Sequence, residues 1–167
     1  METKGSHSQH LCFMLSSFSE RYQRYGVSGD DALLAGFLIL LMIRDVNSAK
    51  SLPTSADELW DLVRAYISRR QNLADTADTI YPLFSRPHDS MLELAYNCSG
   101  IKGSDQEYIE TLDWVVDHLS FDAGLYATPR EIAELMVKLE DVRKGIVLDP
   151  AAGTGSFFRA CNAVSKV

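Results

Sequence analysis

The sequence is short of cysteine, and this shortage argues against the common zinc and disulfide scaffolds. The three cysteines, Cys12, Cys98 and Cys161, are far apart and form no CxxC pair. Zinc ribbons and disulfide frameworks need paired cysteines or a Cys/His cluster, so neither is expected and no metal site is predicted. The cysteines are interpreted as free thiols in a reducing, cytoplasmic setting.

The sequence also lacks a long apolar run and an excess of positive charge. Its strongest apolar stretch, 32–43 (ALLAGFLILLMI), is shorter than the roughly 20 residues that a membrane-spanning helix needs. We therefore expect no membrane partner and a buried helix at this position. The net charge is -7, from 16 basic and 23 acidic residues. A protein that holds DNA by itself usually presents a basic face to the phosphates, so most contact with a DNA partner would come from elsewhere.

A repeated helix-start signal marks the first 120 residues as helical. A Ser or Thr followed three residues later by Asp or Glu can cap the first turn of a helix reciprocally. An earlier helix is expected over about 8–25, with Gly26 as its natural end. Together these signals predict an all-helical domain of about five helices over residues 1–120, with no catalytic constellation. The start signal occurs there as Ser28/Asp31, Ser55/Glu58, Ser90/Glu93 and Ser104/Glu107.

The pattern changes from residue 121 onwards. Thr128 is interpreted as a helix N-cap, with Pro129 as the first helical residue and Glu131 closing the capping box. The apolar run 146–148 is typical of a buried strand, and it leads into a glycine-rich turn and a helix over 156–167. A strand, a glycine turn and a helix form half of a nucleotide-binding βαβ unit. The predicted fold class is mainly α: a helical bundle, then the first βα element of a truncated Rossmann-like domain over 121–167.

The glycine turn excludes three common nucleotide and catalytic motifs. A GxGxxG fingerprint starting at Gly153 would need a third glycine where Phe158 stands. A phosphate-binding P-loop needs Gly-Lys-Ser/Thr, and the sequence has no such run. Asp149 and Pro150 are followed by two alanines, so they do not form an Asp-Pro-Pro-aromatic motif.

The segments 126–136 (YATPREIAELM) and 148–158 (LDPAAGTGSFF) resemble two motifs of adenine-N6 DNA methyltransferases, in particular the modification (M) subunits of type I restriction-modification systems. The segment 148–158 (LDPAAGTGSFF) is similar to motif I, whose usual form is close to D-P-A-C-G-T-G-G-F. It departs from that form at Ala152 and Ser156, both small-for-small changes. The segment 126–136 (YATPREIAELM) resembles motif X, which precedes motif I in this class. The order and the short spacing of the two motifs match the family.

The resemblance implies S-adenosyl-L-methionine as the cofactor. Asp149 would organise the turn or accept a hydrogen bond from the amino-acid part of the cofactor. The backbone around Ala151, Gly153 and Gly155 would pack against the methionine moiety. The residues expected to flank the cofactor from the motif X side are Tyr126, Thr128 and Pro129.

The catalytic motif of the family has no counterpart in the sequence. Family members flip the target adenine out of the duplex and hold it with an Asn/Asp-Pro-Pro-Tyr/Phe motif, whereas the five prolines here are all isolated. No catalytic residue is assigned, and the chain is expected to be an N-terminal segment, inactive alone. The implied partners are DNA, through the full-length protein or complex, and specificity and restriction subunits or a second copy. A stand-alone helical adaptor or regulatory binding protein remains the alternative.

Overall fold

The protein is mainly helical, as predicted. A computed structural model describes residues 7–46, 52–70, 80–84, 89–119, 128–141 and 145–164. The chain divides into two compact units, residues 1–119 and 120–167. The described part of the first unit contains a 3₁₀ turn, Tyr81–Phe84, and five helices: α1 (His7–Gln23), α2 (Gly29–Val46), α3 (Ala56–Ser68), α4 (Asp89–Cys98) and α5 (Asp105–His118). That of the second unit contains α6 (Arg130–Leu139) and α7 (Ser156–Val164).

The core of the first unit is built around α2, which carries the long apolar run. Within 32–43 only Leu34 is exposed, so the prediction of a buried helix is confirmed. Helix α1 packs against α2 at Gly36, where an added Cβ would lie 2.9 Å from side-chain atoms of both Leu15 and Phe18. The glycine therefore permits a close approach of the two helices. Gly26, with φ of 79°, follows the end of α1 as expected.

Three of the four predicted capping signals in this unit place a serine at a helix start. The full reciprocal box forms at Ser104, whose hydroxyl accepts from the backbone of Glu107 while the Glu107 carboxylate accepts from the Ser104 backbone. Ser28 accepts from the backbone of Asp31 at 3.1 Å. Ser55 caps α3, but the Glu58 carboxylate accepts from the backbone of Thr54 at 2.7 Å.

The fourth predicted cap, Ser90, is wrong. Helix α4 already begins at Asp89, so Ser90 lies inside its first turn. The Ser90 hydroxyl is buried and has no hydrogen-bond partner among the described residues. Glu93, the expected partner in the box, instead forms an ion pair with Arg21 of α1 at 2.6 Å. The Glu93 carboxylate therefore pairs with α1 and does not close the predicted capping box.

The predicted start of α6 is displaced by one residue. The carbonyl of Pro129 accepts from the backbone of Ala133 at 3.0 Å, which begins the i to i+4 ladder. Pro129 is therefore the N-cap and not the first helical residue, and no side chain caps this helix. Thr128 precedes the cap, so its predicted capping role and the box with Glu131 are corrected.

The predicted buried strand at 146–148 does not form. The described residues of the second unit include no strand, and no regular secondary structure is assigned to this segment. Ile146 is 100% exposed and Leu148 is 86% exposed. A strand is stabilised by hydrogen bonds to a neighbouring strand, and the described residues offer this segment no such neighbour. The helix predicted to follow the turn is confirmed over Ser156–Val164.

The cysteines are free, as predicted. Cys98 is buried in the core of the first unit, and burial raises the pKa of its thiol to about 12. No cluster of His, Cys, Asp or Glu suited to a metal ion is found within the described ranges. No helix in that same part of the chain is long and apolar enough to cross a bilayer.

Candidate cofactor-binding site

The second unit brings the two predicted motif segments together through the packing of α6 on α7. Ala133 and Val137 of α6 form a buried cluster with Ala160 of α7. Phe157 and Cys161, one turn apart on α7, pack against this cluster and are half-buried. The helix after the glycine turn is thereby held against the helix that carries the YATPREIAELM segment.

The glycine turn has a compact backbone that is stabilised locally. The Asp149 carboxylate accepts from the backbone N–H of Ala151 at 2.9 Å, which forms an Asx turn. The backbone N–H of Gly155 donates to the carbonyl of Ala152 at 2.7 Å. Gly153 and Gly155 have φ values of 49° and 74°, the left-handed region that side chains with a Cβ rarely adopt.

The space around the turn is open on the side of Gly153. A Cβ built there would have one neighbour within 4 Å, the carbonyl oxygen of Ala151 at 3.8 Å. The N-terminus of α7 follows directly, and its first backbone N–H groups have no acceptor within the helix. A ligand can therefore approach both the bare backbone of the turn and the amide groups of the helix start.

A pocket of about 240 Å³ lies between α6 and the segment that leads into the turn. Both motif segments contribute to its wall, together with the first turns of α7. The lining residues are Met136, Val137, Glu140, Val147, Leu148, Asp149, Phe157 and Cys161. The described part of the wall is mostly apolar, and its charged side chains are the carboxylates of Glu140 and Asp149.

The structure separates the predicted site residues into two groups. Asp149 lines the pocket and organises the turn at the same time. Ala151, Gly153 and Gly155 form the turn beside the pocket without lining it. The prediction that these residues bind a cofactor stays a prediction.

The motif X residues lie at the start of α6. Thr128 is half-buried and Pro129 is exposed, and neither lines the pocket. Tyr126 lies outside the described residues. Met136 of the same helix and Glu140, its C-cap residue, reach the pocket instead.

Most of the pocket wall was not predicted from the sequence, although the signal was present. Met136 of α6 and its C-cap residue Glu140 are four residues apart, as are Phe157 and Cys161 on α7, so each pair shares one helix face. The helical period of the two elements would have pointed to these faces. It could not show that the faces meet, because that depends on how α6 packs on α7.

The residues of the pocket fit part of S-adenosylmethionine. The apolar wall suits an adenine ring, and the carboxylates of Asp149 and Glu140 suit the positively charged sulfonium. The volume is below the roughly 300–1,000 Å³ of sites that enclose a whole cofactor-sized ligand. The pocket is therefore large enough for only part of the cofactor.

A comparison with known protein families agrees with the position of this site. The family described as N-6 DNA Methylase matches residues 108–166, about a third of the chain. The matched range begins within α5 and contains α6, the glycine turn and α7. Residues 108–166 thus form an adenine-N6 DNA methyltransferase-like region. No curated protein and no solved structure matches the chain.

Proposed function

We propose that the second unit is the cofactor-facing part of an S-adenosylmethionine-dependent adenine-N6 DNA methyltransferase. The observation that carries this proposal is the shared pocket. Side chains from the motif X helix, such as Met136, and from the motif I segment, such as Asp149, line the same cavity inside the range matched by the family. The family is generally dependent on S-adenosylmethionine.

In this proposal the chain binds and orients the cofactor. S-adenosylmethionine supplies a methyl group on a positively charged sulfur when it is bound. The carboxylates of Asp149 and Glu140 favour that charge, while Leu148 and Phe157 exclude water from its apolar parts. The left-handed glycines allow the amino-acid moiety to approach the backbone. The proposal concerns cofactor binding, and no residue of the chain is assigned to methyl transfer.

We further propose that the parent system is a restriction-modification enzyme of the type I M-subunit kind. In such a system DNA would be contacted through the full-length protein or complex, with specificity and restriction subunits as partners. The charge distribution supports the proposal that most DNA contacts are made outside the first unit. Residues 1–119 contain 17 acidic and 10 basic residues, and residues 120–167 contain six of each. The first unit would therefore repel the phosphate backbone.

The test is a calorimetric titration of the full chain with S-adenosylmethionine. Wild type is compared with Asp149→Ala, Asp149→Asn and a control, Asp117→Asn, which removes an exposed carboxylate from α5. We expect binding by wild type and by the control, and a loss of binding in Asp149→Ala.

The asparagine variant separates the two roles of Asp149. Its amide oxygen still accepts from the Ala151 backbone but carries no charge. Retained binding would assign Asp149 to the turn, and lost binding would assign its charge to the cofactor. Absence of heat with wild type at millimolar S-adenosylmethionine, or equal affinity of wild type and Asp149→Ala, would contradict the proposed function.

A further inference from the structure

The glycine turn is held in shape by a side chain that the family motifs do not include. The guanidinium of Arg159 donates to the carbonyl of Thr154, which lies between the two left-handed glycines. It also donates to the hydroxyl of Ser156 at 3.5 Å, and the hydroxyls of Ser156 and Thr154 are 3.1 Å apart. One half-buried cation thus connects the turn and the first residue of α7.

We propose that Arg159 is the positioning residue of this site, which sets the backbone conformation of the turn that receives the cofactor. The part of this inference that concerns the cofactor rests on the proposed function. Arg159 acts through the turn and does not line the pocket. Its contacts are charge-assisted, and such hydrogen bonds are about twice as strong as neutral ones.

The position of Arg159 on α7 explains how it reaches the turn. Side chains on a helix lean toward its N-terminus, so a residue one turn into the helix covers the segment that enters it. The backbone N–H of Arg159 donates to the carbonyl of Gly155 at 3.0 Å, which places it on the first full turn of α7. From there its side chain folds back over Thr154.

The charge of Arg159 indicates that the residue stabilises the turn and does not stabilise the start of α7. A positive charge is unfavourable near the N-terminus of a helix because the first N–H groups already carry partial positive charge. Helices α2 to α6 each carry an acidic residue in the first turn, whereas α7 has none. The contacts with the turn therefore offset an unfavourable helix position.

The turn gains no support from a sheet in the part of the chain that the structure describes. The residues before it, 146–148, have no regular secondary structure there. The other contacts of the turn among the described residues are local, and include the Asx turn at Asp149 and the bond from Gly155 to Ala152. From within α7, the side chains of Ser156 and Arg159 add contacts to Thr154, and that of Arg159 is the charged one.

The experiment measures amide hydrogen exchange by NMR on the full chain. Arg159→Met removes the guanidinium but keeps an unbranched apolar stem, and Arg159→Lys keeps the charge with a single donor group. We expect the Gly155 amide to exchange about tenfold faster in Arg159→Met, with Arg159→Lys in between. The Ala133 amide, bonded to Pro129 in α6 of the same unit, should be unchanged.

A control variant, Arg64→Met, removes one exposed guanidinium from α3 and should leave both amides unchanged. Unchanged exchange at Gly155 in Arg159→Met would overturn the proposal. Equal acceleration at Gly155 and Ala133 would overturn it too, because Arg159 would then only stabilise the unit as a whole.

Titration with S-adenosylmethionine provides the functional part of the test. The affinity should fall about tenfold in Arg159→Met and be partly restored in Arg159→Lys. Equal affinities of wild type and Arg159→Met would refute a role in the site. If wild type itself does not bind, the proposed function fails, while the exchange at Gly155 and Ala133 still decides whether Arg159 shapes the turn.

Discussion

Replacing Ser90 by alanine should stabilise the protein, contrary to what its sequence motif suggests. The Ser90 hydroxyl is buried in the first turn of α4 without a hydrogen-bond partner among the described residues. A buried polar group left unsatisfied costs about 1–3 kcal/mol, and alanine also has the better helix propensity by about 0.5 kcal/mol. Ser90→Ala removes both penalties and opens only a small space. We expect a gain of about 1–3 kcal/mol in the free energy of unfolding.

Urea denaturation followed by far-UV circular dichroism measures this change, and Ser104→Ala is the matched control. Ser104 belongs to the same sequence pattern, but its capping box is complete, so its removal should cost about 1 kcal/mol. The two substitutions are therefore expected to have opposite signs. A loss of stability in Ser90→Ala similar to that in Ser104→Ala would show that Ser90 caps α4 after all.

Three further substitutions test the packing, the cap and the turn. Gly36→Ala should lower the free energy of unfolding by up to about 2 kcal/mol, because overpacking against Phe18 outweighs the gain in helix propensity; higher stability in urea would contradict this. Hydrogen bonding from the Ser104 backbone lowers the pKa of Glu107 in the folded protein below its usual value of 4.5. The contribution of Glu107 to the free energy of unfolding is therefore complete above pH 4.5 and is lost as the pH falls through the pKa of the folded state. The stability difference between wild type and Glu107→Gln should follow that course in denaturation at successive pH values, and a pH-independent difference would refute it. Gly155→Ala places a Cβ at φ of 74° and should cost roughly 1–2 kcal/mol of local stability by hydrogen exchange, whereas Gly100→Ala, with open space around it, should not; equal effects would be contrary to the described turn.

The capping signals show how far local sequence patterns reach. The pattern at Ser104 predicted a helix start and a reciprocal box, and both are present because every partner lies within four residues. The same pattern at Ser90 failed, since Arg21 of α1 pairs with Glu93. Arg21 is distant in sequence, so no local pattern could reveal that competition.

In the candidate site, too, local features could be predicted from the sequence and tertiary contacts could not. The two left-handed glycines and the Asx turn at Asp149 were accessible from the sequence, because residue type largely decides such turns. Met136 and Phe157 were not predicted as pocket residues. Their faces meet only through the packing of α6 on α7, which buries Ala133 against Ala160.

The segment before the turn shows why the predicted βα element is not confirmed although the glycine turn is present. An apolar, β-branched run becomes a buried strand only when neighbouring strands satisfy its backbone, and Ile146 and Leu148 are exposed here. The turn does not share this dependence, because its hydrogen bonds among the described residues join residues between Asp149 and Arg159. Its conformation is therefore a local property of about ten residues that needs no sheet. For this reason the exchange rate at Gly155 can report on the proposed site directly in this chain.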